Sequence, residues 1–155
     1  MGAVRRYPVT VATKLGVFAV EFSDRGLARL DFNANRSSTA TRLPHNLDRQ
    51  LRDYAAGKLT RFRVPLDLSS GTPFQRAVWR AMLTIPLGET RSYRWIARKI
   101  GRPRATRAVG AACGANPVAV VVPCHRVIAG DGSIGGFGGG LAWKRKLLRL
   151  EGVKL

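Results

Sequence analysis

The sequence predicts an α+β chain, with a small N-terminal antiparallel sheet covered by a helix and a mainly helical second half built around a helix-turn-helix. Three observations carry this: short β-favouring runs fill the chain before residue 70, apolar residues recur at helical spacing after it, and Gly or Pro punctuates the boundaries. The change of texture divides the chain into domains 1–70 and 71–155. Val9-Thr10-Val11-Ala12, residues 17–22 and residues 27–32 read as strands, with Lys14-Leu15-Gly16 and Ser23-Asp24-Arg25-Gly26 as hairpin turns. Leu47, Leu51, Tyr54 and Ala55 fall at helical intervals, so a helix over 46–56 covers one face of the sheet, and residues 65–72 form a connector. Thr72-Pro73-Phe74 opens a helix carrying Phe74, Val78, Trp79 and Met82, which Pro86-Leu87-Gly88 ends. Ser92 caps a short helix with Ile96, Ala97 and Ile100 inward, broken by Gly101-Arg102-Pro103. A second short helix runs from about 104 to 114 and stops before Asn116-Pro117, completing the helix-turn-helix. Residues 118–122, apolar and mostly β-branched, read as a buried strand.

Charge narrows the partners. The 155 residues include 27 Lys or Arg against 9 Asp or Glu, a formal net charge of +18. Such an excess attracts polyanions: nucleic acid first, an anionic membrane second, an acidic protein third. Between Asp67 and Asp131 the only acidic residue is Glu89, while Arg91, Arg94, Arg98, Arg102, Arg104 and Arg107 cluster about the helix pair. The second helix of that pair is nearly all small residues, with Arg107 its one long side chain. Reading base edges in the major groove takes several long hydrogen-bonding side chains. A slim helix with one protruding cation instead suits a minor groove or the sugar-phosphate backbone, although small residues equally permit close helix packing. No stretch has the length or flanks of a secretion signal, and none approaches the ~20 apolar residues of a membrane span, so a soluble, cytoplasmic chain is expected. Cys113 and Cys124 make no disulfide framework, and with His45 and His125 they match no zinc pattern, so no bound metal is expected.

Chemistry concentrates in Pro123-Cys124-His125-Arg126-Val127. A cysteine beside a histidine and an arginine sits in a field that favours thiolate over a thiol of pKa about 8.5. Neighbours in an extended segment point to opposite sides, so a relay from Cys124 to His125 needs a turn or a bridging water. Alone, a Cys-His pair more often marks a buried structural cysteine.

Taken with Arg107-Ala108-Val109-Gly110, Asn116-Pro117, Gly138-Gly139-Gly140-Leu141, Lys146-Leu147-Leu148 and Glu151-Gly152, the string closely resembles the methylated-DNA-protein-cysteine methyltransferases, the O6-alkylguanine-DNA alkyltransferases. The resemblance covers the second half from Thr72 and, in texture, the first half. It implies a ribonuclease H-like first domain and a winged-helix-like second. It also implies repair of O6-alkylguanine in double-stranded DNA, with O4-alkylthymine left open, by one irreversible transfer to the chain's own cysteine. By that pattern Cys124 is the alkyl acceptor, His125 relays its proton, Glu151 orients the histidine, Asn116 holds the turn and Tyr93 serves the leaving guanine. Arg107 occupies the stack vacated by the flipped base, and Thr106, Ala105 and Tyr93 line the DNA contact. Val127, Phe137, Gly138 and Gly139 form the base pocket, with Phe137 standing where many relatives carry tyrosine. The resemblance implies a monomer that needs no cofactor. A damage-recognition module without transfer chemistry and a thiol hydrolase are the competing readings; the first should lack Cys124, and the second has no need of +18.

Overall fold

Alternation of side chains builds β1 (Val9–Thr13), β2 (Gly16–Ser23) and β3 (Gly26–Asp31), which pair antiparallel in that order. They belong to a computed structural model that describes residues 9–32, 42–135 and 140–154. Val9 faces Val20 and Val11 faces Phe18 across the first pair, and all four are buried. Leu27 and Leu30 are three apart, which in a regular strand puts them on opposite faces, yet both are fully buried. A bulge reconciles this: Glu21 pairs with Arg29 and Phe22 with Leu27, so Ala28 is an extra residue that resets the phase. At the second hairpin Gly26 has φ +149°, and a Cβ there would lie 2.4 Å from the Pro65 carbonyl oxygen, so only glycine fits.

The outer edge of β3 is not left open. Leu27 N–H donates to Pro65 O (2.8 Å) and Asp67 N–H to Leu27 O (2.8 Å); further along, Leu30 N–H donates to Pro117 O (2.9 Å). Residues 65–67, expected as connector, therefore complete the sheet. The chain separates into two compact units, Met1–Leu68 with Pro117–Ala119, and Ser69–Asn116 with Val120–Leu155. In the first, α1 (Leu47–Ala55) contacts β1 and buries Leu47, Leu51, Tyr54 and Ala55, the four residues its spacing marked.

In the second unit, α2 (Pro73–Met82) starts with a capping box: the Thr72 hydroxyl accepts from Gln75 N–H (3.1 Å) and the Gln75 side chain accepts from Thr72 N–H (2.9 Å). Val78, Trp79 and Met82 are buried, Phe74 half-buried, and Trp79 Nε1 donates to Ala112 O at 2.8 Å. Ser92 caps α3 (Tyr93–Lys99) by accepting from Trp95 N–H at 3.0 Å. Ile96 and Ala97 are buried as expected, whereas Ile100, at the helix end, is only half-buried. α4 (Thr106–Gly114) begins two residues later than its spacing suggested, because Arg104 and Ala105 sit in the turn before it. It packs on α2 and α3.

Residues 118–122 are not a strand. Val120 has φ +73°, a left-handed conformation rare for a β-branched residue, and the chain turns there. Beyond the turn, β5 (Val127–Ile128) pairs parallel with β4 (Arg91–Ser92), and α5 (Leu141–Leu150) closes the unit.

Candidate active site

Cys124 opens a single 3-10 turn, Cys124–Arg126, rather than an extended segment, so its neighbour His125 is not turned to the far side of a strand. Both are buried, Cys124 at 7% exposure and His125 at 0%. Asn116 follows α4, and its Nδ2 donates to Val122 O at 2.8 Å, bracing the turn that delivers the cysteine; its side chain also hydrogen-bonds the sulfur. Val127, the last residue of the motif, is fully buried on β5. The Arg91–Val127 and Ser92–Ile128 pairs lash this segment to the residues just before Tyr93. Tyr93, half-buried, starts α3, and a Cβ on Gly135 would meet its hydroxyl at 3.2 Å.

Glu151 anchors the other side. Its side chain has no solvent exposure, and its Oε2 lies 2.6 Å from His125 Nε2. Arg126 donates from Nε to Oε1 (2.7 Å) and from Nη2 to Oε2 (3.2 Å), while its Nη1 reaches Ile85 O (2.7 Å). Burial alone would raise the carboxyl's pKa, but the hydrogen bonds from His125 and Arg126 and the positive charge of Arg126 outweigh it and bring Glu151 down to about 2. An ionised carboxylate only accepts, so His125 Nε2 carries the hydrogen. Burial holds the imidazole pKa below its usual value, which leaves the ring neutral and Nδ1 a lone-pair base. Nδ1 is buried and, among the described residues, has no hydrogen-bond partner.

The sulfur departs from the sequence expectation. Burial pushes the Cys124 thiol up, and the Asn116 hydrogen bond and the Lys144 charge offset this only in part. The reason is geometric: Arg126, adjacent in sequence, directs its guanidinium to Glu151 and Ile85, and His125 is neutral. The resting group is a thiol that needs a base. Cys113, also buried, lies with its Sγ 3.7 Å from Met82 Sδ, and burial takes it to about 12, so it is packing material rather than a second nucleophile.

On α4, Thr106 and Arg107 are exposed and Ala105 is half-buried at the helix start, so this face presents one long cation among small residues. Phe137, Gly138 and Gly139 lie outside the described residues. Among those described, no three His, Cys, Asp or Glu side chains gather as a metal site, and no helix is long and apolar enough to cross a membrane. The residue that sequence reasoning passed over is Lys144. It is fully buried, donates from Nζ to Val127 O at 2.7 Å, and lies 5.9 Å from the centre of the Tyr93 ring. Its signal was present: Trp143, Lys144, Leu147, Leu148 and Glu151 share one helical stripe, and charges within an apolar stripe call for partners.

Two domain models match the chain end to end: the ribonuclease-like domain of 6-O-methylguanine DNA methyltransferase over residues 7–68, and the DNA binding domain of the same family over residues 73–153. The methylated-DNA–protein-cysteine methyltransferase of Mycobacterium tuberculosis is 61% identical over 102 residues, a stretch that takes in 66% of this chain and 61% of that protein. The chain thus spans about three-fifths of the length of these mycobacterial relatives. The protein of the same name from Methanosarcina barkeri is 40% identical over 149 residues, 91% of this chain and 94% of its own. Among solved structures, Mycobacterium tuberculosis OGT in complex with DNA superposes with a TM-score of 0.85 at 45% identity, covering 94% of this chain and 92% of that one. With its small antiparallel sheet, its helical second half and both domain models in chain order, this chain belongs to the 6-O-methylguanine DNA methyltransferase family.

Proposed function

We propose that this chain repairs O6-alkylguanine in double-stranded DNA, with O4-alkylthymine as a further substrate to test, by moving the alkyl group onto Cys124 once and irreversibly. The observation that carries this is the buried thiol beside His125, whose Nε2 is locked to Glu151 at 2.6 Å while Nδ1 stays a lone-pair base. A raised thiol pKa makes such a base necessary, and the arrangement is the nucleophile, base and orienter of a triad. The proton leaves sulfur for His125 Nδ1 through a bridging water; sulfur then attacks the alkyl carbon in line, and the carbon–O6 bond breaks with its electron pair going to the purine. Guanine takes up the released proton while Tyr93 donates a hydrogen bond to it. The product thioether has no good leaving group, so one chain reacts once.

The target atom lies inside a duplex, and the base must be flipped out at a cost of a few kcal/mol. The exposed face of α4 supports a minor-groove approach in which Arg107 fills the vacated stack, with Thr106, Ala105 and Tyr93 beside it. Val127 and, by resemblance, Phe137, Gly138 and Gly139 would wall the base. In this reading residues 1–70 form the first domain, residues 71–155 the DNA-binding and alkyl-acceptor domain, and the chain acts as a cytoplasmic monomer without cofactor. Exposure to DNA carrying labelled O6-methylguanine tests the reading: one label per chain on Cys124 is expected, and Cys124→Ser should bind DNA yet take none. Turnover would indicate a hydrolase; binding without label, a recognition module.

A further inference from the structure

α5 turns one face to the acceptor turn and the other to solvent. Lys144, Leu147 and Leu148 are buried, and Lys144 reaches the Val127 carbonyl, whereas Ala142, Arg145, Lys146 and Arg149 are exposed. At 3.6 residues per turn these four stand about 100–200° round the helix from Lys144. They line an open cleft of about 450 Å³. A helix about 10 Å thick therefore lies between this cleft and the 3-10 turn that α5 packs on, so the cleft is no part of the alkyl-acceptor pocket.

The charge in the cleft has no local counterpart. α5 carries four cations and no acid, and the sequence holds no Asp or Glu between Asp131 and Glu151. Glu151 itself is taken up inside the core by His125 and Arg126. Among the described residues neither Arg145 nor Arg149 enters an ion pair, and they stand four apart on the helix, where like charges repel. Lys146 lies with its ammonium 5.0 Å from the centre of the Trp143 ring, a cation–π contact that holds it beside the arginines. Two guanidinium forks and an ammonium around a small residue match phosphate oxygens, which accept several charge-assisted hydrogen bonds at once. In the repair reading the phosphate at hand is the DNA backbone. The cation read as entering the lesion duplex, Arg107, belongs to α4, which packs on α2 and α3. We infer that the outer face of α5 is a second DNA site: Arg145, Lys146 and Arg149 hold phosphodiester groups of a segment other than the one whose base meets Cys124. Contact there is to backbone alone and carries no sequence preference, so it tethers the chain to neighbouring DNA.

The test uses the full chain and two undamaged duplexes, one fixed to beads and one fluorescent and free. Beads saturated with wild type and washed should capture the free duplex. With Arg145→Gln/Arg149→Gln, capture should be about tenfold weaker, and the slope of log affinity against log salt should fall by about 2. Loading of the beads, and methyl transfer from a short O6-methylguanine duplex, should match wild type. No capture by wild type, or equal capture by the variant, overturns the inference. A variant that transfers methyl but loads the beads poorly shows α5 gripping the same duplex as α4, which overturns the second segment. If the variant does not fold, wild type decides: at duplex excess, sedimentation should find two short duplexes per chain, and one per chain overturns the inference. Wild type that captures duplex yet takes no methyl overturns the repair reading and leaves the second site standing.

Discussion

Replacing Glu151 by Gln keeps the shape of the side chain and removes its charge from the centre of the site. The wild-type carboxylate accepts from His125 at 2.6 Å and from Arg126 at 2.7 and 3.2 Å, and is fully buried. Burial works against the ionised form, yet the hydrogen bonds from His125 and Arg126 and the charge of Arg126 bring the carboxyl from 4.5 to about 2. At about 1.4 kcal/mol per unit, this shift corresponds to about 3 kcal/mol of folding stability. Because the folded-state pKa is the lower one, that stability is fully present above pH 4.5 and is lost as pH falls from there towards 2. Glu151→Gln should therefore unfold about 3 kcal/mol more easily in urea at pH 7, in the range seen when a buried pair is broken. The gap should close as both proteins approach pH 2. Tryptophan fluorescence during urea titration at a series of pH values measures it. A gap under about 1 kcal/mol at pH 7, or one that does not narrow on acidification, would refute the account of Glu151 as a charge-paired anchor. Transfer from DNA should also slow, by about tenfold, because an amide orients the imidazole without supporting positive charge on it.

Two smaller changes probe other parts of the chain. Arg107→Ala, at the exposed cation of α4, should slow repair within a duplex more than reaction with the free base; equal losses on both substrates would assign Arg107 to the pocket instead. Gly26→Ala forces a Cβ to within 2.4 Å of Pro65 O at φ +149°, and should destabilise the first unit by about 1–3 kcal/mol while leaving iodoacetamide labelling of Cys124 intact; wild-type urea stability would show that the turn can relax.

Local chemistry made much of the fold readable. Leu47, Leu51, Tyr54 and Ala55 are buried where helical spacing put them, and the Thr72 and Ser92 hydroxyls cap helices because their partners lie three residues away in the chain. Interactions between distant residues were not readable in this way. The run at 118–122 has extended propensity, but Pro117–Ala119 pairs with β3 while Asn116 bonds Val122 O, and between those ties Val120 adopts a left-handed turn. Propensity yields when hydrogen bonds on both sides dictate the path.

The site divides along the same line. Its reactive string was visible as residue types, and the resemblance supplied Glu151, 27 residues past Cys124, which no local rule would link to it. The direction of the thiol's shift went the other way from the sequence argument because charge acts through space and burial, and Arg126 directs its charge to Glu151. Lys144 joined the site only once α5 was folded onto β5. Composition and spacing alone thus marked the change of texture between the two halves and the basic excess, since these depend on residue type and near neighbours, while the choice of Cys124 as acceptor came from the resemblance. Protonation states, the orientation of the base and the buried cation were decided by tertiary packing, because dielectric and distance exist only in the assembled core.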